Sequence, residues 1–189
     1  MGNFGWLLFG FLTFAVVERL YERRFSQSAK RGDVKMSWSY TAFHILHALI
    51  YVGTGVEYFA FRRVVNYPVV VFGLAAFCVS LWLRLCAIRT LGQYWSLNLE
   101  IRNDHQLIRE GIYQHIRHPA YSAIMLEVIA IPLVGNAWYT LLLSLFLYIP
   151  LLLARWSIEE KEMVGKFGST YEAYRAQVPA FWPALPGRK

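Results

Sequence analysis

The sequence predicts an all-α integral membrane protein of one domain with five transmembrane helices. Of its 189 residues, 57% are hydrophobic and only 16% are charged, whereas a soluble domain carries about 25% charged residues. Several uncharged runs approach the roughly 20 residues that a helix needs to cross a bilayer. The 17% aromatic content is typical of helices anchored at the membrane interface by Trp and Tyr.

The first three spans are predicted from uncharged runs at residues 1–17, 38–56 and 64–83. The first run has neither a positive leading region nor a small-residue cleavage site, so we expect a retained span rather than a signal peptide. Allowing for flanking residues, the spans cover about residues 1–18, 38–60 and 64–88.

The fourth and fifth spans are predicted from one uncharged run at residues 128–154, which is too long for an ordinary span. Pro132 removes a backbone donor, and Gly135-Asn136 favours a turn. We therefore expect a tight hairpin of a fourth span at residues 119–134 and a fifth at 138–158. Pro119 suits the first turn of a helix, where its missing N–H is harmless.

The distribution of Lys and Arg predicts the orientation. With five spans, six Lys and Arg residues lie between spans one and two, five lie from Arg84 to Arg117, and six lie in the tail. All of these segments are on one side of the membrane. Only Arg62 and Arg63 fall on the other side. The positive-inside rule then gives an outside N-terminus and a cytoplasmic C-terminus, and in a bacterium this multi-pass protein belongs to the inner membrane. It also explains the net charge of +7 without a nucleic-acid partner.

Residues 105–121 form a polar, cationic segment just before the fourth span. On a helix that opens at Pro119, His118 and Tyr121 lie three apart and face the same way. The helix N-terminus adds free N–H groups and a partial positive charge. The pattern predicts a site for a carboxylate or phosphate, although Arg117 and His118 could also simply mark the membrane interface.

Acidic residues follow the fifth span on the same side of the membrane. Arg155 and Glu159 lie four apart and share a helix face, and Glu160 adjoins them. The hairpin brings this face beside the start of the fourth span, so cations and carboxylates can meet there, as a zwitterionic ligand needs. The alternative is a surface salt bridge of little energetic value.

Other polar residues lie within the predicted spans. Glu127 and Arg84 either pair with each other or line the substrate pocket, because intramembrane charges are functional candidates. The sequence leaves the roles of His44, His47 and Glu57 open. Two histidines without a third partner rarely hold a metal, so no metal site is predicted.

The motifs in the second half of the chain, about residues 91–180, resemble the isoprenylcysteine carboxyl methyltransferase family, which is related to phospholipid N-methyltransferases. The matching segments are His105-Gln106-Leu107-Ile108, Gly111-Ile112-Tyr113, Arg117-His118-Pro119-Ala120-Tyr121, Arg155, Glu159-Glu160, Phe167-Gly168-Ser169-Thr170-Tyr171-Glu172-Ala173-Tyr174 and Val178-Pro179.

The resemblance implies a cytoplasmic pocket for S-adenosylmethionine and a position facing the methyl acceptor at Arg155. The residues implied for the cofactor are Asn98, His105, Gln106, Leu107, Ile108, Tyr113, Arg117, His118, Pro119, Ala120, Tyr121, Glu159 and Glu160. The cofactor's carboxylate suits His118 and the helix N-terminus, and its ammonium or ribose hydroxyls suit Glu159.

The implied reaction leaves the acceptor open among prenylated proteins, lipids and other lipophilic molecules. A carboxylate acceptor needs no base and only Arg155 to hold it, as in isoprenylcysteine O-methylation. A phospholipid or lipid amine must first lose a proton, and Glu127 or Glu160 would then serve as the base. Two alternatives of other classes are an NADPH-dependent enzyme like the sterol reductases and a non-catalytic membrane protein.

Overall fold

The computed structural model describes residues 2–27, 33–62, 64–97, 99–101 and 106–183. Most of them are helical, which confirms the predicted class. The helices are α1 Asn3–Gln27, α2 Ser37–Ala60, α3 Tyr67–Leu91, α4 Pro119–Val134, α5 Trp138–Leu143, α6 Ile149–Phe167 and α7 Ser169–Gln177. Two short strands that the sequence did not predict, β1 Asp33–Lys35 and β2 Leu99–Ile101, pair antiparallel.

Several helices are apolar enough for a multi-pass membrane protein. Among the described residues, three stretches have the length and composition to cross a membrane: Asn3–Glu22, Tyr67–Tyr94 and Trp138–Phe167. Pro119–Val134 is apolar but shorter. The count of five spans stays a prediction, as does the side of the membrane on which each terminus lies.

The predicted break between the fourth and fifth apolar segments is confirmed. Helix α4 ends at Val134, and Asn136 takes a left-handed conformation with φ 52°, which Asn tolerates better than most residues. The carboxylate of Glu57 on α2 then accepts hydrogen bonds from the backbone N–H of Tyr139 at 3.2 Å and of Thr140 at 2.9 Å. A carboxylate at a helix N-terminus satisfies its free donors, so Glu57 anchors the start of α5.

Helix α4 is packed closely against α3. A Cβ at Gly73 of α3 would lie 2.9 Å from Val134 Cγ2 and 3.1 Å from the carbonyl oxygen of Ala130, so only glycine allows this approach. Phe77 on α3 and Val128 on α4 are both buried in the main hydrophobic cluster. This packing fixes α4 and with it the polar segment at its N-terminus.

The helix that forms the fifth predicted span continues past residue 158, where that span was predicted to end. Helix α5 passes through a π-helical turn at Ser144–Tyr148 into α6. Helix α6 ends at Phe167, and Gly168 follows with φ 52°, a conformation that glycine adopts readily at the end of a helix. Helix α1 also extends beyond its predicted span. The charged residues that mark the end of that span belong to the helix, and they form ion pairs inside the protein.

Candidate active site

The start of α4 and the end of α6 meet, as the hairpin predicts. His118 Nε2 lies 2.6 Å from Glu160 Oε1, and His118 Nδ1 lies 3.6 Å from Glu159 Oε1. The Tyr121 hydroxyl donates to Glu159 Oε2 at 2.6 Å. His118 and Tyr121 therefore do face the same way, towards two adjacent carboxylates.

One carboxylate oxygen of Glu160, Oε1, is contacted by three protein groups. Arg117 Nη1 pairs with Glu160 Oε1, and the Tyr171 hydroxyl on α7 donates to the same oxygen at 2.6 Å. Glu160 is 6% exposed. Because His118 also contacts it, Glu160 joins α4, α6 and α7 into one rigid corner.

The chain after α7 crosses over the start of α4. The backbone N–H of Arg117 donates to the carbonyl of Pro179 at 2.9 Å, and that of His118 donates to Ala180 at 2.8 Å. The Ser122 hydroxyl donates to the carbonyl of Phe181 at 2.5 Å. Sequence reasoning missed this contact, for which the Val178-Pro179 motif was the available signal.

The charge state of His118 follows from its neighbours. Burial alone would lower the pKa of His118, but its hydrogen bonds to Glu159 and Glu160 outweigh burial and raise it. A protonated imidazole would neutralise part of the charge of the two carboxylates.

A cavity of about 480 Å³ opens at this corner and continues between the helices. The part of the cavity at this corner, which we call its mouth, is lined by Arg117, His118 and Glu159, and the rest of its wall includes the apolar Phe43 and Leu152. The cavity thus offers both charged and apolar surface, as a site shared by a charged ligand and a lipophilic one requires.

Arg155 lies on the cavity wall. Its Nη2 donates to the carbonyl of Leu97 at 2.8 Å, and its guanidinium carbon lies 5.6 Å from the centre of the Phe43 ring. Within the described part of the chain, Arg155 Nε and Trp95 Nε1 are buried donors without an acceptor. Both residues line the cavity, and unsatisfied donors of this kind are available to a ligand.

The structure brings most of the predicted site residues to this one cavity. Those on its wall are Leu107, Ile108, Tyr113, Arg117, His118, Ala120, Tyr121, Arg155 and Glu159. Gln106, Pro119, Glu127 and Glu160 are not among the lining residues. Asn98 and His105 lie outside the described residues.

Glu127 lies deeper, in a cluster of buried charges. It is fully buried and pairs with Arg19 on α1 and Arg84 on α3. Arg84 also contacts Glu18 at 2.7 Å, and the Tyr51 hydroxyl donates to Glu127 at 3.0 Å. Of the two predicted alternatives for Glu127 and Arg84, the structure shows the ion pair. Arg19 was expected to lie in the charged segment between the first two spans. Nothing in the sequence indicates that Glu127, far along the chain, is its partner.

No group of three potential metal ligands occurs among the described residues.

The fold and the site together define a helical membrane protein with a cavity between its helices, and polar side chains line the mouth of that cavity. Residues 69–165 match the isoprenylcysteine carboxyl methyltransferase (ICMT) family, and the chain belongs to this family.

Similar proteins agree with this membership. The protein-S-isoprenylcysteine O-methyltransferase of Schizosaccharomyces pombe is 37% identical over 116 residues, which are 60% of this chain and 49% of that protein. The uncharacterized protein YpbQ of Bacillus subtilis is 32% identical over 92 residues, covering 48% of this chain and 55% of YpbQ. The chain thus spans about half the length of these two relatives.

A solved structure has the same fold. All of this chain superposes on 71% of the eukaryotic intramembrane Ras methyltransferase ICMT, with a TM-score of 0.64 and 23% sequence identity. The likeness shows that the helices of this chain follow the arrangement of a membrane-embedded protein.

Proposed function

We propose that this chain is an S-adenosylmethionine-dependent methyltransferase of the membrane that methylates a lipophilic carboxylate, as in isoprenylcysteine O-methylation. One observation carries the proposal: Arg155 and Glu159 lie one helical turn apart on α6 and line the same cavity. An anion-holding group and a carboxylate are thereby adjacent on the cavity wall, where two ligands can meet. Family membership supports the same class of reaction.

The residues at the cavity mouth fit S-adenosylmethionine. The Glu159 side chain is 27% exposed, so it retains acceptor capacity for an ammonium group or ribose hydroxyls beyond its bond from Tyr121. Tyr113 and Ile108 give an aromatic and apolar wall for a nucleoside. The indole N–H of Trp95, for which the described residues provide no acceptor, adds a donor on the same wall.

When bound, S-adenosylmethionine supplies a sulfonium methyl group: the acceptor oxygen bonds to this carbon as its bond to sulfur breaks, leaving S-adenosylhomocysteine and a methyl ester. A carboxylate is ionised at neutral pH, so no protein base is required. The protein's contribution is mainly positioning. Arg155 would hold the acceptor carboxylate, and Glu159 the cofactor.

His118 supports this arrangement without needing to touch the cofactor. Both ring nitrogens face carboxylates, and the backbone N–H groups of Arg117 and His118 already donate to the tail. We therefore infer that His118 orients Glu159. Direct binding of the cofactor's carboxylate by His118 stays a prediction.

The proposal is tested with purified protein in detergent, methyl-labelled S-adenosylmethionine and N-acetyl-S-farnesylcysteine. We expect a labelled methyl ester, which alkali hydrolyses to volatile methanol. Alkali-stable label in an added phospholipid would instead support the lipid-amine alternative. Calorimetry that detects binding of NADPH but not of S-adenosylmethionine would favour a reductase. Binding of neither compound would favour a non-catalytic protein.

The charge asymmetry of the sequence supports a cytoplasmic mouth for this cavity, where S-adenosylmethionine is available. In this orientation the acceptor reaches the interior from the membrane, and the cofactor enters from water.

A further inference from the structure

Tyr148 is a buried hydroxyl deep in the cavity that the proposed reaction does not use. It is the last residue of the π-helical turn before α6, and such turns are frequent at functional sites. Tyr148 lines the cavity and is 1% exposed. Its hydroxyl oxygen lies 2.8 Å from His47 Nδ1 on α2.

Arg19 determines which nitrogen of His47 carries the proton. Arg19 Nη2 lies 2.9 Å from His47 Nε2, and a guanidinium can only donate hydrogen bonds. His47 Nε2 is therefore the acceptor, and the neutral ring carries its proton on Nδ1. That N–H donates towards the carbonyl of Phe43 at 3.0 Å and towards Tyr148.

The Tyr148 hydroxyl must accept from His47, so its own proton needs another acceptor. Among the residues that the structure describes, the Tyr148 hydroxyl has hydrogen-bond contacts only with His47, at 2.8 Å from Nδ1 and 3.5 Å from Nε2. The single lone pair of Nε2 already accepts from Arg19 at 2.9 Å, so it does not take the Tyr148 proton. A buried donor left without an acceptor is unfavourable, because its lost hydrogen bond to water is not replaced. The cavity is the side from which an acceptor can reach this proton.

The distance of Tyr148 from the reacting end is set by the α6 helix. Tyr148, Leu152, Arg155 and Glu159 recur at helical spacing and all line the cavity. At 1.5 Å rise per residue, Tyr148 lies about 10 Å deeper than Arg155 along the axis. Leu152, 2% exposed, separates them. A molecule along this wall meets a cation, then an apolar surface, then a hydroxyl donor.

We propose that Tyr148 donates a hydrogen bond to an oxygen in the tail of the methyl acceptor, so that the enzyme prefers an acceptor with an oxygen at that position of its tail over one with a plain hydrocarbon tail. This inference rests on the proposed methyl transfer. Arg19, His47 and Tyr51 also line the cavity, and Arg19 and His47 belong to the same chain of hydrogen bonds as Tyr148. A carbonyl or ether oxygen satisfies the Tyr148 proton, and a prenyl chain has no oxygen to offer.

The test compares acceptors that differ by one atom. N-acetyl-S-dodecylcysteine is assayed beside analogues in which an ether oxygen replaces one methylene at successive positions of the dodecyl chain. We expect wild-type kcat/KM to favour one oxygen position over its neighbours. For that analogue, Tyr148→Phe should lower kcat/KM about fivefold more than for the all-carbon chain, as loss of one neutral hydrogen bond predicts.

Tyr51→Phe is the matched control, because Tyr51 also lines the cavity but its proton is already donated to Glu127. It should keep the wild-type ratio between ether and all-carbon acceptors. Equal losses for every acceptor in Tyr148→Phe, or no favoured oxygen position in the wild type, would overturn the proposal. If Tyr148→Phe fails to fold, the wild-type comparison alone decides. Wild-type protein that methylates none of these acceptors would instead contradict the proposed function, and this inference with it.

Discussion

His118 and Glu159 face each other across the mouth of the cavity, with 3.6 Å between His118 Nδ1 and Glu159 Oε1. The other nitrogen of the same ring contacts Glu160 at 2.6 Å. One imidazole therefore holds two adjacent carboxylates in different environments. Glu160 is buried and shared with Arg117 and Tyr171, whereas Glu159 is turned towards the cavity.

Glu159→Gln should weaken binding of S-adenosylmethionine by about 1.5–3 kcal/mol, the value of a hydrogen bond to a charged group. Isothermal calorimetry in detergent measures the loss. Glu172→Gln, at an exposed acidic residue of α7, is the control and should bind like the wild type. Unchanged affinity in Glu159→Gln would remove this residue from the cofactor site.

Arg155→Ala should abolish methyl transfer to a carboxylate acceptor while leaving cofactor affinity nearly intact, because the guanidinium is assigned to the acceptor. Steady-state turnover and calorimetry on the same preparation separate the two effects. Arg89→Ala, at an exposed arginine in the last turn of α3, is the control. Normal turnover in Arg155→Ala would point to an acceptor without a carboxylate, such as a lipid amine.

The stability contributed by His118 should depend on pH in a defined direction. Its pKa is raised above the ordinary 6.5, so its stabilisation is full below pH 6.5 and is lost as pH rises through the folded-state value. We expect His118→Gln to cost about 1–3 kcal/mol at the acidic end and less in alkaline buffer. Thermal unfolding at several pH values measures this, and the exposed His115 provides the matched His→Gln control. A cost that grows with pH would contradict the assignment.

Glu127→Gln should lower the free energy of unfolding by about 3–5 kcal/mol, because it leaves the buried guanidinium groups of Arg19 and Arg84 without their shared carboxylate. Thermal unfolding in detergent checks this, with a change below about 0.5 kcal/mol expected for Glu172→Gln. If Glu127→Gln is as stable as the wild type but no longer methylates an amine acceptor, the result would support Glu127 as the base.

Reporter fusions should place the N-terminus outside and the C-terminus in the cytoplasm. The reason is that, with five spans, all Lys and Arg except Arg62 and Arg63 fall on one side, which the positive-inside rule assigns to the cytoplasm. Fusions at both ends test the orientation together. Both termini on one side would rule out an odd number of spans.

The sequence by itself predicted the helical class, the start of α4 at Pro119 and the break at Gly135-Asn136. These features depend on local backbone chemistry: proline lacks an N–H, and glycine and asparagine tolerate left-handed turns. It also placed His118 with Tyr121, and Arg155 with Glu159, because three- and four-residue spacings share a helix face.

Only the tertiary structure decided which of these polar groups remain available to a ligand. Glu159 and Glu160 are neighbours in the sequence, yet packing turns one towards the cavity and buries the other against Arg117 and Tyr171. The pairing of Arg19 with Glu127 and the crossing of the tail over α4 likewise join residues far apart in the chain. Such contacts arise because buried charges and donors need partners, and which partner each one meets is fixed by how the helices pack.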